Sequence, residues 1–170
     1  MVLVINSTLV ASETEENSSG KASMKILAVD PGEKRIGLAI SDPTGTLARP
    51  LCVIKSESRQ KDAQTIMTIA QEHTVDLILV GWALDSEGEV GYRARKSKRL
   101  ADVIQEKTDL PVKMWDESGT TQTAVESRII MGVSRKKRKG HLDDVAASIL
   151  LQDFLSQHRD LDKQQEETIE

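Results

Sequence analysis

Residues Met24–Ser41, MKILAVDPGEKRIGLAIS, decide the fold. Ile26, Leu27, Ala28 and Val29 run together without polar alternation, as a strand buried on both faces requires. Asp30 follows directly. An acid at the end of such a run carries its charge to the rim of a sheet, where a cation can meet it. Pro31 and Gly32 then turn the chain. Ile36, Leu38 and Ile40 alternate with Gly37, Ala39 and Ser41, the period-2 pattern of a second strand. Taken alone, Asp30-Pro31-Gly32 also reads as a plain hairpin turn, because Asp, Pro and Gly are common turn residues. The carboxylates further along the chain bear on that choice.

Downstream, Asp42-Pro43-Thr44-Gly45 signals another turn, and Thr46–Lys55 (TLARPLCVIK) reads as the third strand of an antiparallel meander. Pro50 has no N–H for a ladder, so this strand belongs at a sheet edge or carries a bulge. Ala63, Ile66, Met67 and Ala70 recur at i, i+3, i+4 and i+7, giving an amphipathic helix over Gln60–His73. His73, in its last turn, is a dipole or solvent residue. Asp76–Gly81 (DLILVG) is a buried strand, and Trp82–Gly91 is a loop. Tyr92–Lys107 is a helix with Ser97, Leu100, Ala101 and Ile104 on its inner stripe. Pro111–Trp115 is a short strand with Asp116-Glu117 at its end. Thr120 and Thr121 cap a helix reaching Met131; Arg135–Lys139 is a basic run, and His141–Ser156 is an apolar helix. The order β-β-β-α-β-α-β-α-α makes a mixed α/β sheet with helices on its faces.

The 170 residues suit one domain with a core of its own. Three segments are expected: a disordered extension over 1–23, the folded domain over 24–156, and a polar, frayed tail over 157–170. The opening segment has neither the basic start nor the long apolar stretch of a signal peptide, and Met24 is a candidate initiator. No run is apolar enough to span a membrane. Cys52 is the only cysteine, which excludes an internal disulfide and points to a reducing, cytoplasmic setting. It sits among Leu51, Val53 and Ile54 and reads as a small buried hydrophobe. Net charge is -4, but residues 24–156 hold 20 bases and 19 acids, so the acidity belongs to the termini. Overall charge neither supports nor excludes a nucleic-acid partner; local patches must decide.

Arg93, Arg95, Lys96, Lys98 and Arg99 crowd the first half of the Tyr92–Lys107 helix. Positive charge there opposes the helix dipole, which hints at an anionic partner, although a solvated basic face also accounts for it. Asp30, Asp116-Glu117 and Asp143-Asp144 are the acids that stand out. Asp143 heads a stripe with Ala147, Leu150 and Phe154 that faces the sheet, while Asp144 aligns with Ser148 and Gln152 and leans outward. An inward carboxylate is costly to bury unless paired or bound to a cation; as helix N-terminal chemistry it would also be welcome. Converging carboxylates without a Cys–His cluster suit an oxygen-ligand site for Mg²⁺ or Mn²⁺. Such a site hydrolyses phosphodiesters, with the basic helix and basic run gripping phosphates on either side.

DPGEKRIGLAIS, VGWALDSEG, DESGTT and KGHLDDVAASILLQ resemble, in order and spacing, the YqgF family of RuvX-type proteins over residues 24–156. The resemblance implies an RNase H-like fold whose five-stranded sheet has three antiparallel strands followed by two parallel ones. It implies a metal-dependent nuclease with Asp30, Glu117 and Asp143 as catalytic and metal-binding acids, Asp116 being a further metal candidate. The family is linked to maturation of the 5′ end of precursor 16S rRNA and, by analogy with RuvC, to cleavage of Holliday junctions. Arg35 matches a basic position common in the family and joins Arg93, Arg95, Lys96, Arg135, Lys136, Lys137, Arg138 and Lys139 as nucleic-acid contacts. Two departures stand out: Ser118-Gly119 replace the usual Arg-Leu, and Trp82-Ala83 follow Gly81 where Leu-Pro is usual.

The leading expectation is therefore a cytoplasmic nuclease acting on structured RNA such as pre-rRNA, as a monomer or weak homodimer. A resolvase of branched DNA keeps the chemistry and changes the substrate. A non-catalytic RNA-binding relative would answer to the altered Ser118-Gly119. An ATP-handling domain of similar fold would need a second phosphate loop, which the chain does not show. Four aromatic residues, Trp82, Tyr92, Trp115 and Phe154, argue against a base-stacking platform; recognition by shape and backbone is expected.

Overall fold

The computed structural model describes residues 24–84, 87–116 and 142–167, the last helix by its backbone alone outside 145–158. Strands β1 (Ile26–Pro31), β2 (Arg35–Ser41) and β3 (Ala48–Lys55) form the meander. Helix α1 (Arg59–Glu72), β4 (Leu77–Trp82), α2 (Tyr92–Lys107), β5 (Val112–Asp116) and α3 (Leu142–Glu167) follow. The sheet order is β3-β2-β1-β4-β5. β1–β2 and β2–β3 pair antiparallel, and β1–β4 and β4–β5 pair parallel. This is the mixed sheet expected from the sequence.

The apolar run of β1 lies at the centre because both its faces are covered. Leu27 and Val29 join Ile36, Leu38, Ile40, Ile78 and Val80 under α1 and α2. Ile26 and Ala28 join Ala39, Leu77 and Leu79 under Ala147, Leu150, Leu151 and Phe154 of α3. The inner stripe of α2 is as its periodicity dictates, with Ala94 added to Ser97, Leu100, Ala101 and Ile104. Pro50 meets both conditions set for it: β3 is an edge strand, and its register against β2 shifts between Leu38 and Ala39, the irregularity of a bulge. Cys52 is only partly buried, packed against the α1–α2 core.

Two expectations for α3 are corrected. The helix continues past Ser156 to Glu167, since the Asp, Lys, Gln and Glu of that stretch contain no Gly or Pro to stop it. The row of Asp144 does not lean outward: Ser148 is fully buried, and Gln152 is tied to β3, accepting from Ala48 N–H (3.0 Å) and donating to the Thr46 carbonyl (3.1 Å). α3 contacts β2, β3 and β1, so its buried face is wider than one stripe. The helix expected over Thr120–Met131 lies outside the described residues, as does the extension over 1–23.

Two turns fix the meander. In the first, a Cβ on Gly32 would lie 2.6 Å from the Arg35 carbonyl oxygen, so only glycine fits the backbone. Pro31 still pairs with Ile36; the reversal falls after it rather than on it. Lys96 of α2 reaches across and donates to the carbonyls of Gly32 (2.7 Å) and Glu33 (3.0 Å), bracing the turn that follows Asp30. In the second turn, the Asp42 carboxylate accepts from Thr46 N–H (2.7 Å), Leu47 N–H (2.8 Å) and the Thr44 hydroxyl. Burial pushes the Asp42 carboxyl up, but these hydrogen bonds together outweigh it and hold the group below its ordinary value.

Two outcomes follow from these contacts. Lys96→Met removes charge-assisted bonds and is expected to cost about 1.5–3 kcal/mol in urea denaturation, whereas Lys98→Met on the exposed side of α2 should cost under about 1 kcal/mol. Because the folded Asp42 carboxyl titrates below its unfolded counterpart, its stabilisation is full above pH ~4 and is lost as pH falls through the folded value. Thermal melts of Asp42→Asn at pH 7 and pH 3 should therefore show a smaller loss on acidification than the parent chain.

Candidate functional site

β1 delivers Asp30 to the carboxyl-terminal rim of the sheet. The residue pairs with Gly37 of β2, and continuing the Val29–Val80 register puts Gly81 of β4 on its other side. Neither neighbour has a side chain to crowd the carboxylate. By strand alternation Asp30 shares the α3 face with Ile26 and Ala28. Gly81 pairs with Trp115 of β5, which packs on the same α3-side core. Arg35, exposed at the start of β2, falls on this face as well.

Asp116 pairs with Trp82 and alternates with Trp115, so it belongs to the opposite, α2-side face from Asp30. Glu117, Arg135, Lys136, Lys137, Arg138 and Lys139 lie outside the described residues, as do Ser118 and Gly119. Asp143 sits in the first turn of α3, described by its backbone alone. Its row passes through Ala147 and Leu150 to Phe154, which meets Trp115 edge-to-face at 5.0 Å. The row of Asp144 ends instead at Gln152 on β3. The described members of the two rows thus differ by the strands they meet, β5 for Phe154 and β3 for Gln152.

The donor chemistry near Asp30 is oxygen. Of the described histidines, His73 caps α1 and its carbonyl accepts from Lys25, at the far end of β1. His158 packs on Phe154 with Nδ1 against that residue's carbonyl. Cys52 is on the edge strand. No cluster of three metal-ligating side chains occurs among the described residues. The carboxylate and the bare backbone beside it suit a hard cation rather than zinc.

On the α2 side of the same rim is a cavity of about 430 Å³, bordered by Asp30, Trp82, Tyr92, Arg93 and Ser97. The basic residues of α2 divide around it. Arg93 lines it, Arg95 donates to the Val90 carbonyl at 2.5 Å, and Lys96 is the brace on the β1–β2 turn. The gathering of Trp82 and Tyr92 at one cavity was not legible from their number in the sequence. The signal available was position: each flanks the loop between β4 and α2.

Comparison with known proteins agrees with this architecture. The profile described as "RuvX: Holliday junction resolvase" matches residues 24–157. A "Putative pre-16S rRNA nuclease" of Halothermothrix orenii is 41% identical over 133 residues, covering 78% of this chain and 95% of the relative. One of Desulforamulus reducens, with the same description, is 40% identical over 132 residues, covering 78% and 96%. In fold, T. thermophilus RuvC in complex with a Holliday junction substrate superposes with a TM-score of 0.53 at 18% identity, covering 79% of this chain and 96% of that one. No helix among the described residues is long and apolar enough to cross a membrane. Profile, relatives and sheet order together show that this chain belongs to the RuvX family.

Proposed function

We propose that this chain is a metal-dependent nuclease that hydrolyses phosphodiester bonds in structured RNA, with the 5′ end of precursor 16S rRNA as its substrate. The observation that carries the reading is Asp30, held at the rim of a fully buried strand with glycine on either side, beside a cavity edged by the basic start of α2. The RuvX relatives described as pre-16S rRNA nucleases supply the substrate.

Asp30, Glu117 and Asp143 form the acid set. Asp143 is favoured by its row, which runs through Ala147 and Leu150 to Phe154 in the α3-side core, where Phe154 meets Trp115 of β5. Asp116 falls on the other face and is left out of the set. Mg²⁺ or Mn²⁺ held by these carboxylates would activate water and offset charge on the leaving oxygen. The chain's own part is to fix three acids on rigid elements and to hold the substrate phosphates with Arg35, Arg93 and the run Arg135–Lys139. Cytoplasmic action and a monomeric or weakly dimeric state complete the reading. The family description favours four-way DNA junctions as a second substrate.

Labelled leader RNA and a labelled four-way junction, each with Mg²⁺, Mn²⁺ or EDTA, test the reading. Metal-dependent cutting of the RNA is expected, and Asp30→Asn, Glu117→Gln and Asp143→Asn should each lower it by about 10³-fold or more. Asp144→Asn should keep activity within about tenfold of the parent. Cleavage that survives in both the Glu117→Gln and Asp143→Asn variants would remove the metal-site assignment, and cutting of the junction alone would replace the substrate.

A further inference from the structure

The cavity beside Asp30 has a chemistry that a metal-holding acid set does not require. At its α2 wall the helix starts at Gly91 with no side-chain cap and no acid in its first turn. The free N–H groups of that turn and the dipole favour an anion, and Arg93 adds a guanidinium at the cavity edge. Ser97, one turn on, lines the cavity while only 4% exposed. Other helical hydroxyls are returned to carbonyls of their own helix: Thr65 to Lys61, Thr68 to Gln64, Ser148 to Val145 and Ser156 to Gln152. Ser97 shows no such bond, and since no fully buried polar side-chain atom among the described residues lacks a partner, its hydroxyl is open to the cavity. A hydroxyl presented to a cavity, rather than returned to its own helix, is a donor and acceptor for a polar ligand.

Two aromatic side chains stand among the small and apolar residues of the remaining walls. Trp82 ends β4 and Tyr92 opens α2, both lining the cavity. A volume of about 430 Å³ falls within the range of small-ligand pockets. An anion seat, a buried hydroxyl and two aromatic rings around one such space match a nucleotide: phosphate at one end, base at the other. Stacking on aromatic rings accepts any base, since each presents a π-face.

We propose that this cavity binds one unpaired nucleotide of the nucleic-acid strand, adjoining the phosphodiester at Asp30, with its phosphate on Ser97, Arg93 and the first turn of α2 and its base on Trp82 and Tyr92. The nuclease reading above supplies the identity of the strand; the pocket itself is argued from its walls. A base can enter only when unpaired, so the enzyme selects a junction between paired and single-stranded nucleic acid rather than continuous duplex.

In the full chain carrying Trp115→Phe, Trp82 is the sole tryptophan, and its emission can be titrated with uridine 5′-monophosphate, uridine or inorganic phosphate in EDTA. Saturable quenching by the monophosphate is expected, at least about tenfold tighter than by uridine or phosphate. Ser97→Ala and Arg93→Gln should each weaken it by about tenfold, with melting temperatures checked against the parent. Equilibrium dialysis of labelled monophosphate with the unsubstituted chain and with Trp82→Leu gives the same affinities without relying on fluorescence. Equal affinity for phosphate and monophosphate, or unchanged binding in both Ser97→Ala and Trp82→Leu, overturns the pocket. A chain that cuts RNA with metal yet binds no monophosphate keeps the nuclease reading and overturns the pocket. One that binds monophosphate but cuts neither substrate keeps the pocket and overturns that reading.

Discussion

Ile26, Leu27, Ala28 and Val29 lose all contact with solvent because a helical layer covers each face of β1. An ionised carboxylate inside that interior would cost many kcal/mol, so the first acid of the strand can stand only where the cover ends. Asp30 does so. The neighbouring strands bring glycine to the same height, and the β1–β2 turn that follows is held by Lys96 of α2. A rigid centre therefore fixes Asp30 without recourse to a loop.

The two helical layers divide the chemistry between them. α3 covers the face to which Asp30 belongs by strand alternation. α1 and α2 cover the opposite face, and the start of α2 brings positive charge, a buried hydroxyl and an aromatic ring to the same rim. Asp30 borders both. Asp30 and Arg93 thus meet at one cavity edge, although they are delivered by elements on different layers.

The fold was legible because β1 is a continuous apolar run and α2 keeps a clean 3.6-residue stripe; both patterns survive any loop conformation. The edge position of β3 was legible from a single proline. The inward phase of Ala147, Leu150 and Phe154 also came from periodicity, but Ser148 and Gln152 do not lean outward. A one-stripe picture assumes one packing neighbour, and α3 lies across three strands, so Ser148 and Gln152 found partners too. The cavity was not legible. Its walls come largely from β4 and α2, and only the closed sheet brings Trp82 and Tyr92 to one cavity. Four aromatics scattered in a sequence carry no sign that two of them meet.

The proline in β3 has a consequence beyond that strand's place in the sheet. An outer strand with free N–H and C=O groups invites another chain to add on as a further strand, the route to open-ended stacking. Here the outer strand lacks one donor at Pro50, is offset by its irregular register, and exposes Arg49 beside it. At the other border, β5 is short and exposes Lys113. Both borders resist templated growth, so when several copies crowd the same nucleic acid the sheet does not serve as glue between them.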